Sequence, residues 1–128
     1  MTQEDKELIF KELCARLPYH VKCKIWLKDG TTEEGALDLE HNYGNVLQDS
    51  FYYNKIKDIK PYLFPLSSMT DEEKEEYCQL QQRVIYNSKG VINEDVTKYI
   101  NWCYKKHLDI NNLIPMELAI DATNLNIY

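Results

Sequence analysis

The chain has 128 residues, of which 44% are hydrophobic and 28% are charged, values typical of one globular domain with its own core. Its formal net charge of −6 argues against sequence-independent binding to a nucleic-acid backbone or an anionic membrane. No apolar run approaches the ~18 residues of a membrane-spanning helix, and the charged N-terminus lacks a signal-peptide core. We therefore expect a cytoplasmic protein that makes no membrane contact and keeps its four cysteines as thiols.

The first element, within residues 1–17, is predicted to be a helix. Thr2 can cap its start, and Pro18 cannot continue its hydrogen-bond ladder. Apolar residues recur along it with helical spacing. They are Leu8, Ile9, Leu13, Cys14 and Leu17.

Residues 20–66 change to the two-residue period of a β-strand. The predicted inward-facing positions are Val21, Cys23, Ile25 and Leu27. Asp29-Gly30 is typical of a hairpin turn, and further short strands are predicted at 36–39, 46–48 and 52–56. This pattern predicts a small antiparallel sheet or an SH3-like or Sm-like barrel. Lys60–Pro65, with its two prolines, is interpreted as an extended link that leaves the sheet.

Residues 67–128 are predicted to be mostly helical. Thr70 and Glu73 form a capping-box pattern for a helix ending near Tyr86. Asn93 can cap a further helix that reaches about His107. The tail is too apolar to be free, so we expect it to pack back on the domain, with a short helix after Pro115. The whole chain, 1–128, is thus predicted to be a single α+β domain.

The candidate binding surface is the outward face of the strand that follows Pro18. A tryptophan there alternates with lysines, at Lys22, Lys24, Trp26 and Lys28. An indole ring flanked by ammonium groups can stack on a planar ligand or accept a cation–π contact. Nearby residues that could extend this surface are Tyr52, Tyr53, Lys55, Lys57 and Lys60.

Cysteines, histidines and carboxylates give weaker hypotheses for chemistry. Cys103 and His107 share a helix face, and His20 lies close to Cys23 and Cys14, which raises a zinc site or a cysteine nucleophile. We instead expect core thiols. A carboxylate pair, Asp38 and Glu40, is interpreted as the solvated face of a strand. We therefore predict no catalytic residue, no metal and no cofactor.

Ten tyrosines favour contacts with a protein partner or with a second copy of the chain, because tyrosine is enriched at interfaces. The leading prediction is a non-enzymatic binding or interaction protein. A small-ligand, nucleotide or nucleic-acid binder that uses Trp26 and its lysines is the second hypothesis. An enzyme that uses Cys103 and His107 is the third.

Two stretches of the second half resemble a known group of proteins. Residues 60–73 (KPYLFPLSSMTDEE) and residues 102–119, which contain His107-Leu108-Asp109 and Leu118-Ala119, are similar to segments of small uncharacterised proteins from gut Bacteroidales genomes, phages and prophages. Phe64 stands where these proteins often have arginine, and Ile110 and Asn111 stand where they often have an aromatic residue and arginine. The resemblance implies a phage or mobile-element setting, such as an accessory factor that blocks a host defence, and it implies no particular activity.

Overall fold

The computed structural model describes residues 2–36, 56–85 and 93–128, and it has the α+β class predicted from the sequence. A helix comes first, strands follow, and two further helices precede a short last strand. The helices are α1 (Gln3–Arg16), α2 (Asp71–Ile85) and α3 (Asn93–Lys105), and the strands are β1 (Lys22–Leu27), β2 (Thr32–Ala36), β3 (Ile56–Leu63) and β4 (Ile120–Asp121). Several sequence predictions fall outside the described residues. They are the strand at 46–48, all of the strand at 52–56 except its last residue, and the residues Asp38, Glu40, Tyr52, Tyr53 and Lys55.

The described strands form one open sheet of order β2-β1-β3-β4. Strand β1 pairs antiparallel with β2 and β3, whereas β4 pairs parallel with β3 at Tyr62 and Leu63. Among the described strands the sheet is therefore mixed and open: the predicted small antiparallel sheet is confirmed for β2, β1 and β3, β4 adds one parallel pairing, and the described strands do not close into the alternative, a barrel.

Strand β3 also corrects the interpretation of Lys60–Pro65 as a link. Pro61 lies inside β3, opposite Cys23 of β1. Proline is tolerated in a sheet where its missing N–H faces an unpaired edge, and β4 begins to pair with β3 only at Tyr62, one residue further on. The proline therefore interrupts no pairing with β4.

The hydrophobic core lies between α1 and one face of the sheet. Ile9 and Leu13 of α1 meet the inward residues of β1, as the alternating pattern predicted. The fully or nearly fully buried members are Ile9, Leu13, Val21, Cys23, Ile25, Ile59, Leu63, Leu113, Leu118 and Ala119. Burial of such a large aliphatic side chain typically contributes about 1.5–3 kcal/mol, so these residues fix which face of the sheet points outward.

The local helix signals are confirmed. Thr2 and Asp5 form a capping box at the start of α1. Thr70 and Glu73 exchange backbone-to-side-chain hydrogen bonds of 3.0 and 3.2 Å before α2. Cys14, predicted on the apolar stripe of α1, is instead exposed.

The C-terminal segment, residues 107–128, packs back on the domain as predicted. It is tied to the end of β3, where Phe64 N donates to His107 O and Asp109 N donates to Phe64 O, both at 2.8 Å. Turns rather than the predicted short helix follow Pro115. Across residues 2–36, 56–85 and 93–128, no helix has the length and apolar character needed to cross a bilayer.

Candidate functional site

The candidate site is on the outward face of the sheet. Because side chains alternate along β1, burial of Val21, Cys23 and Ile25 turns Lys24 and Trp26 to the opposite face. On β3 the burial of Ile59 turns Lys60 to that same outward face. Trp26 is half-buried there, so its ring is partly open to solvent.

An open groove of about 640 Å³ runs over this face, and we call it the outer groove. Strands β1 and β3 form its floor, and the C-terminal segment forms its wall. Its lining residues are Lys24, Trp26, Lys60, Tyr62, Ile114, Glu117, Ala119, Ile120 and Leu125. The groove thus combines an aromatic plane, two ammonium groups and a wall that is apolar except for Glu117, and its volume lies in the range of small-molecule sites.

Both lysines of the floor lie close to the indole ring. The Nζ atoms of Lys24 and Lys60 are 5.4 and 5.8 Å from the centroid of the Trp26 ring. These distances fall near the outer limit of a cation–π contact. The ammonium groups therefore flank the indole within reach of a ligand placed on it.

Lys24 and Lys60 also occupy directly opposed positions of the β1–β3 ladder. Like charges in such positions are destabilising, by a few tenths of a kcal/mol to about 1 kcal/mol. Among the described residues neither lysine has a carboxylate within ion-pair distance. Neither ammonium group is therefore ion-paired among the described residues, although two carboxylates share this face of the sheet: Asp58, opposite Trp26, and Glu34, opposite Lys24.

One carboxylate of this face, Glu34 of β2, is opposite Lys24 but is hydrogen-bonded to another group. Tyr62 Oη donates a 2.6 Å hydrogen bond to Glu34 Oε1. Burial, followed by this hydrogen bond, raises the pKa of Tyr62 to about 12. The hydrogen bond between Tyr62 and Glu34 thus connects β3 to β2 across β1, and the Glu34 carboxylate forms no ion pair with Lys24.

Two further predicted site residues, Lys22 and Lys28, do not line the groove. Lys22 Nζ donates to Ile127 O at 2.5 Å and lies 5.7 Å from the ring of Tyr128, so its charge is engaged by the C-terminal segment. Lys28 is exposed in the turn after β1 and is not part of the lining. Tyr52 and Tyr53 are outside the described residues.

The C-terminal wall was missed by the sequence analysis. Ile114, Glu117 and Leu125 come from a segment without periodicity, and long-range backbone contacts with β3, including the parallel pairing of β4, bring it beside Trp26. Leu125 remains 48% exposed at the rim. The apolar character of residues 113–125 predicted that this segment packs on the domain, but it did not indicate which face of the sheet the segment borders.

The third hypothesis used Cys103 and His107, and the structure gives the surroundings of both side chains. Cys103 is fully buried, and burial raises its pKa to about 11, whereas a nucleophilic thiol needs a lowered pKa. His107 stacks on Tyr128 with ring centroids 3.6 Å apart. Within the described residues no three His, Cys, Asp or Glu side chains are grouped to hold a metal ion.

Comparison of the chain with protein-family models, with curated proteins and with solved structures finds no match. Even a shared fold would not define a function, because function depends on the residues of a site. The chemistry of the outer groove is therefore the basis for a functional proposal.

Proposed function

We propose that this chain is a non-enzymatic binding protein and that the outer groove is its binding site. The observation that carries the proposal is the pair of opposed lysines beside Trp26, without a carboxylate partner among the described residues. Such an arrangement costs folding stability and is useful to a protein that receives an anionic ligand. The buried, high-pKa Cys103 supports binding over covalent chemistry.

The resemblance of the second half to phage and prophage proteins is consistent with an accessory role on a mobile element. Sequestration of a host signal or blocking of a host defence needs a binding surface and no catalysis. This setting remains part of the proposal.

The test is retention of small molecules from a bacterial cell extract. Immobilised wild-type protein is equilibrated with the fraction below about 3 kDa, washed, and its bound compounds are identified by mass spectrometry. A Lys24→Glu/Lys60→Glu variant reverses the charge of the groove floor. A Lys28→Glu/Lys57→Glu variant makes the same charge change at exposed lysines outside the lining.

We expect at least one compound to be retained by the wild type and by the Lys28/Lys57 variant but not by the Lys24/Lys60 variant. Circular dichroism of all three proteins checks that each is folded. Identical retention profiles for the three folded proteins would count against the outer groove as a binding site.

A second candidate function is contact with a protein partner or a second copy of the chain. It is favoured by helices α2 and α3, which pack against each other and which we call the α2–α3 hairpin. No described residue of α2 is buried, and Ile85 at its end is 69% exposed. Light scattering of the wild type and of Ile85→Lys tests self-association: a larger mass for the wild type alone supports it, and equal monomer masses for both oppose it.

A further inference from the structure

We propose that the ligand of the outer groove is a mononucleotide, with its base stacked on Trp26 and its phosphate between the ammonium groups of Lys24 and Lys60. This inference rests on the proposed function and adds the chemical class of the ligand. It follows from three features of the groove that match three parts of one molecule.

The first feature is the aromatic plane beside a cation pair. Both Nζ atoms lie less than 6 Å from the centroid of the Trp26 ring, so a ligand of nucleotide size reaches the indole and both ammonium groups together. Bases stack on aromatic side chains with little regard to sequence, and two lysines recognise phosphate as point charges. An anion between Lys24 and Lys60 also relieves their mutual repulsion.

The second feature is the acceptor at the rim. Glu117 lines the groove and is exposed, with a left-handed backbone (φ 60°). A carboxylate there can accept hydrogen bonds from ribose hydroxyls or from an exocyclic amine, since an ionised carboxylate is an acceptor only. It would repel a second phosphate in the same place, which favours a monophosphate.

The third feature is the charge of the whole chain. A net charge of −6 repels a polyanion, so the two lysines of the floor suit one small anion better than a nucleic-acid strand. The groove volume of about 640 Å³ accommodates such a ligand with room for water, whereas an inorganic anion alone leaves the aromatic plane unused.

The experiment reads Trp26 directly. The chain has two tryptophans, and Trp102 donates a 2.9 Å hydrogen bond to Glu76 in the α2–α3 hairpin, away from the groove lining. In a Trp102→Phe background Trp26 is the sole indole reporter. This protein is titrated at 0.15 M salt with AMP, adenosine, ribose 5-phosphate and inorganic phosphate, and calorimetry repeats the AMP titration on the wild type.

We expect AMP to change the Trp26 emission in a saturable way and to bind at least about tenfold more tightly than adenosine, as is typical of charge-assisted contacts. Ribose 5-phosphate and inorganic phosphate should bind more weakly than AMP. In Lys24→Gln/Lys60→Gln, AMP affinity should fall to that of adenosine while adenosine affinity is unchanged. Lys28→Gln/Lys57→Gln should bind AMP like the wild type.

Three results would overturn the inference: no AMP binding in either assay, equal affinities of AMP and adenosine, or undiminished AMP affinity in a folded Lys24/Lys60 variant. Retention by the groove of a compound that is not a nucleotide, together with no AMP binding, would refute the nucleotide class and leave the proposed function standing. If the groove retains no compound and AMP does not bind, both the nucleotide inference and the proposed function are refuted.

Discussion

At the scale of single residues, the most unusual feature is an ion pair buried in the core. Arg16 is fully buried and Glu12 is 3% exposed. Arg16 Nε donates to Glu12 Oε1 at 2.7 Å, and a terminal nitrogen of Arg16 donates to Leu108 O at 2.6 Å. The guanidinium also lies 4.6 Å from the centroid of the Tyr104 ring. One side chain of α1 thereby joins α3 and the C-terminal segment.

Substitution of Arg16 by alanine should lower the free energy of unfolding by about 3–5 kcal/mol, because it leaves a buried carboxylate unpaired. Replacement of both partners, Glu12→Leu with Arg16→Met, should recover most of the loss. Urea unfolding measures all three proteins, with the exposed Arg83→Ala as a control expected to change stability by less than about 0.5 kcal/mol. A double variant as unstable as the alanine variant would contradict this account.

His107 is a second residue in a costly position. Helix α3 ends in a Schellman motif, in which Leu108 N donates to Cys103 O and His107 N donates to Tyr104 O. His107 takes the left-handed position (φ 57°) usually given to glycine. Its Nδ1 is buried without a partner among the described residues. Burial, with Arg16 and Lys22 adding repulsion, lowers the pKa of His107 to about 4.

This lowered pKa makes folding stability fall in mild acid. The unfolded chain binds the proton below about pH 6.5 and the folded chain only near pH 4. The free energy of unfolding therefore decreases across this window by at most about 1.4 kcal/mol per pH unit. His107→Asn, which tolerates the left-handed backbone, should flatten that decrease.

The measurement is urea unfolding at pH 7, 5.5 and 4.5 for the wild type, His107→Asn and His20→Asn. His20 is exposed and also has a left-handed backbone (φ 56°), so its variant is a matched control that should follow the wild type. If His107→Asn keeps the full wild-type dependence on pH, the imidazole does not titrate as stated.

At the scale of elements, the end of the β1–β3 ladder is closed by a side chain. Register pairing is seen up to Cys23 and Pro61. At the next position Lys22 N donates to Tyr128 Oη, which donates in turn to Tyr62 O, both at 2.8 Å. The hydroxyl of Tyr128 thus bridges the two strands where a direct backbone bond would otherwise form, and it ties the C-terminal segment to this end of the β1–β3 ladder.

Tyr128→Phe should lower stability by about 1 kcal/mol, the usual net worth of such hydrogen bonds. Its local effect is more specific: the amide of Lys22 should exchange with solvent faster, while that of Ile25 in mid-strand is unchanged. Hydrogen exchange followed by NMR tests this, with Tyr19→Phe as a control because the Tyr19 hydroxyl makes no hydrogen bond within the described part of the chain. Unchanged exchange at Lys22 would show that the bridge does not protect the ladder end.

At the scale of the whole molecule, a chain of negative net charge carries two lysines on the groove floor that have no ion-pair partner among the described residues. The net charge of −6 opposes the approach of long polyanions. We therefore expect that, at 0.15 M salt, the affinity of the chain for a 20-nucleotide oligo-dT is at most about three times its affinity for AMP. Fluorescence anisotropy of a labelled oligonucleotide measures this. Affinity at least ten times that of AMP would indicate a nucleic-acid surface instead.

Local signals made much of this fold predictable from sequence. The capping boxes at Thr2 and Thr70 need partners only three residues away, and the two-residue period of β1 identified the inward face. The charged pair of α1 was also within reach, since Glu12 and Arg16 lie on the helical stripe of Ile9 and Leu13. It was missed because charged residues are rarely fully buried.

Long-range pairing made the rest unpredictable. The opposition of Lys24 and Lys60 depends on the register between β1 and β3, and no local rule fixes that register. The wall of the groove depends on β4, a strand of two residues without a strand-like pattern. Trp26 and Lys24 could be selected from sequence, whereas the groove that encloses them could not.

The most direct test of the central claim, that Trp26 is where a ligand binds, is an NMR spectrum of the protein labelled with ¹⁵N-tryptophan. Its two indole signals, assigned with Trp26→Phe and Trp102→Phe, are followed as AMP or a small-molecule cell extract is added. We predict that the Trp26 signal shifts progressively while the Trp102 signal stays fixed. A Trp26 signal that stays fixed under both additions, or a Trp102 signal that moves as far, would contradict it.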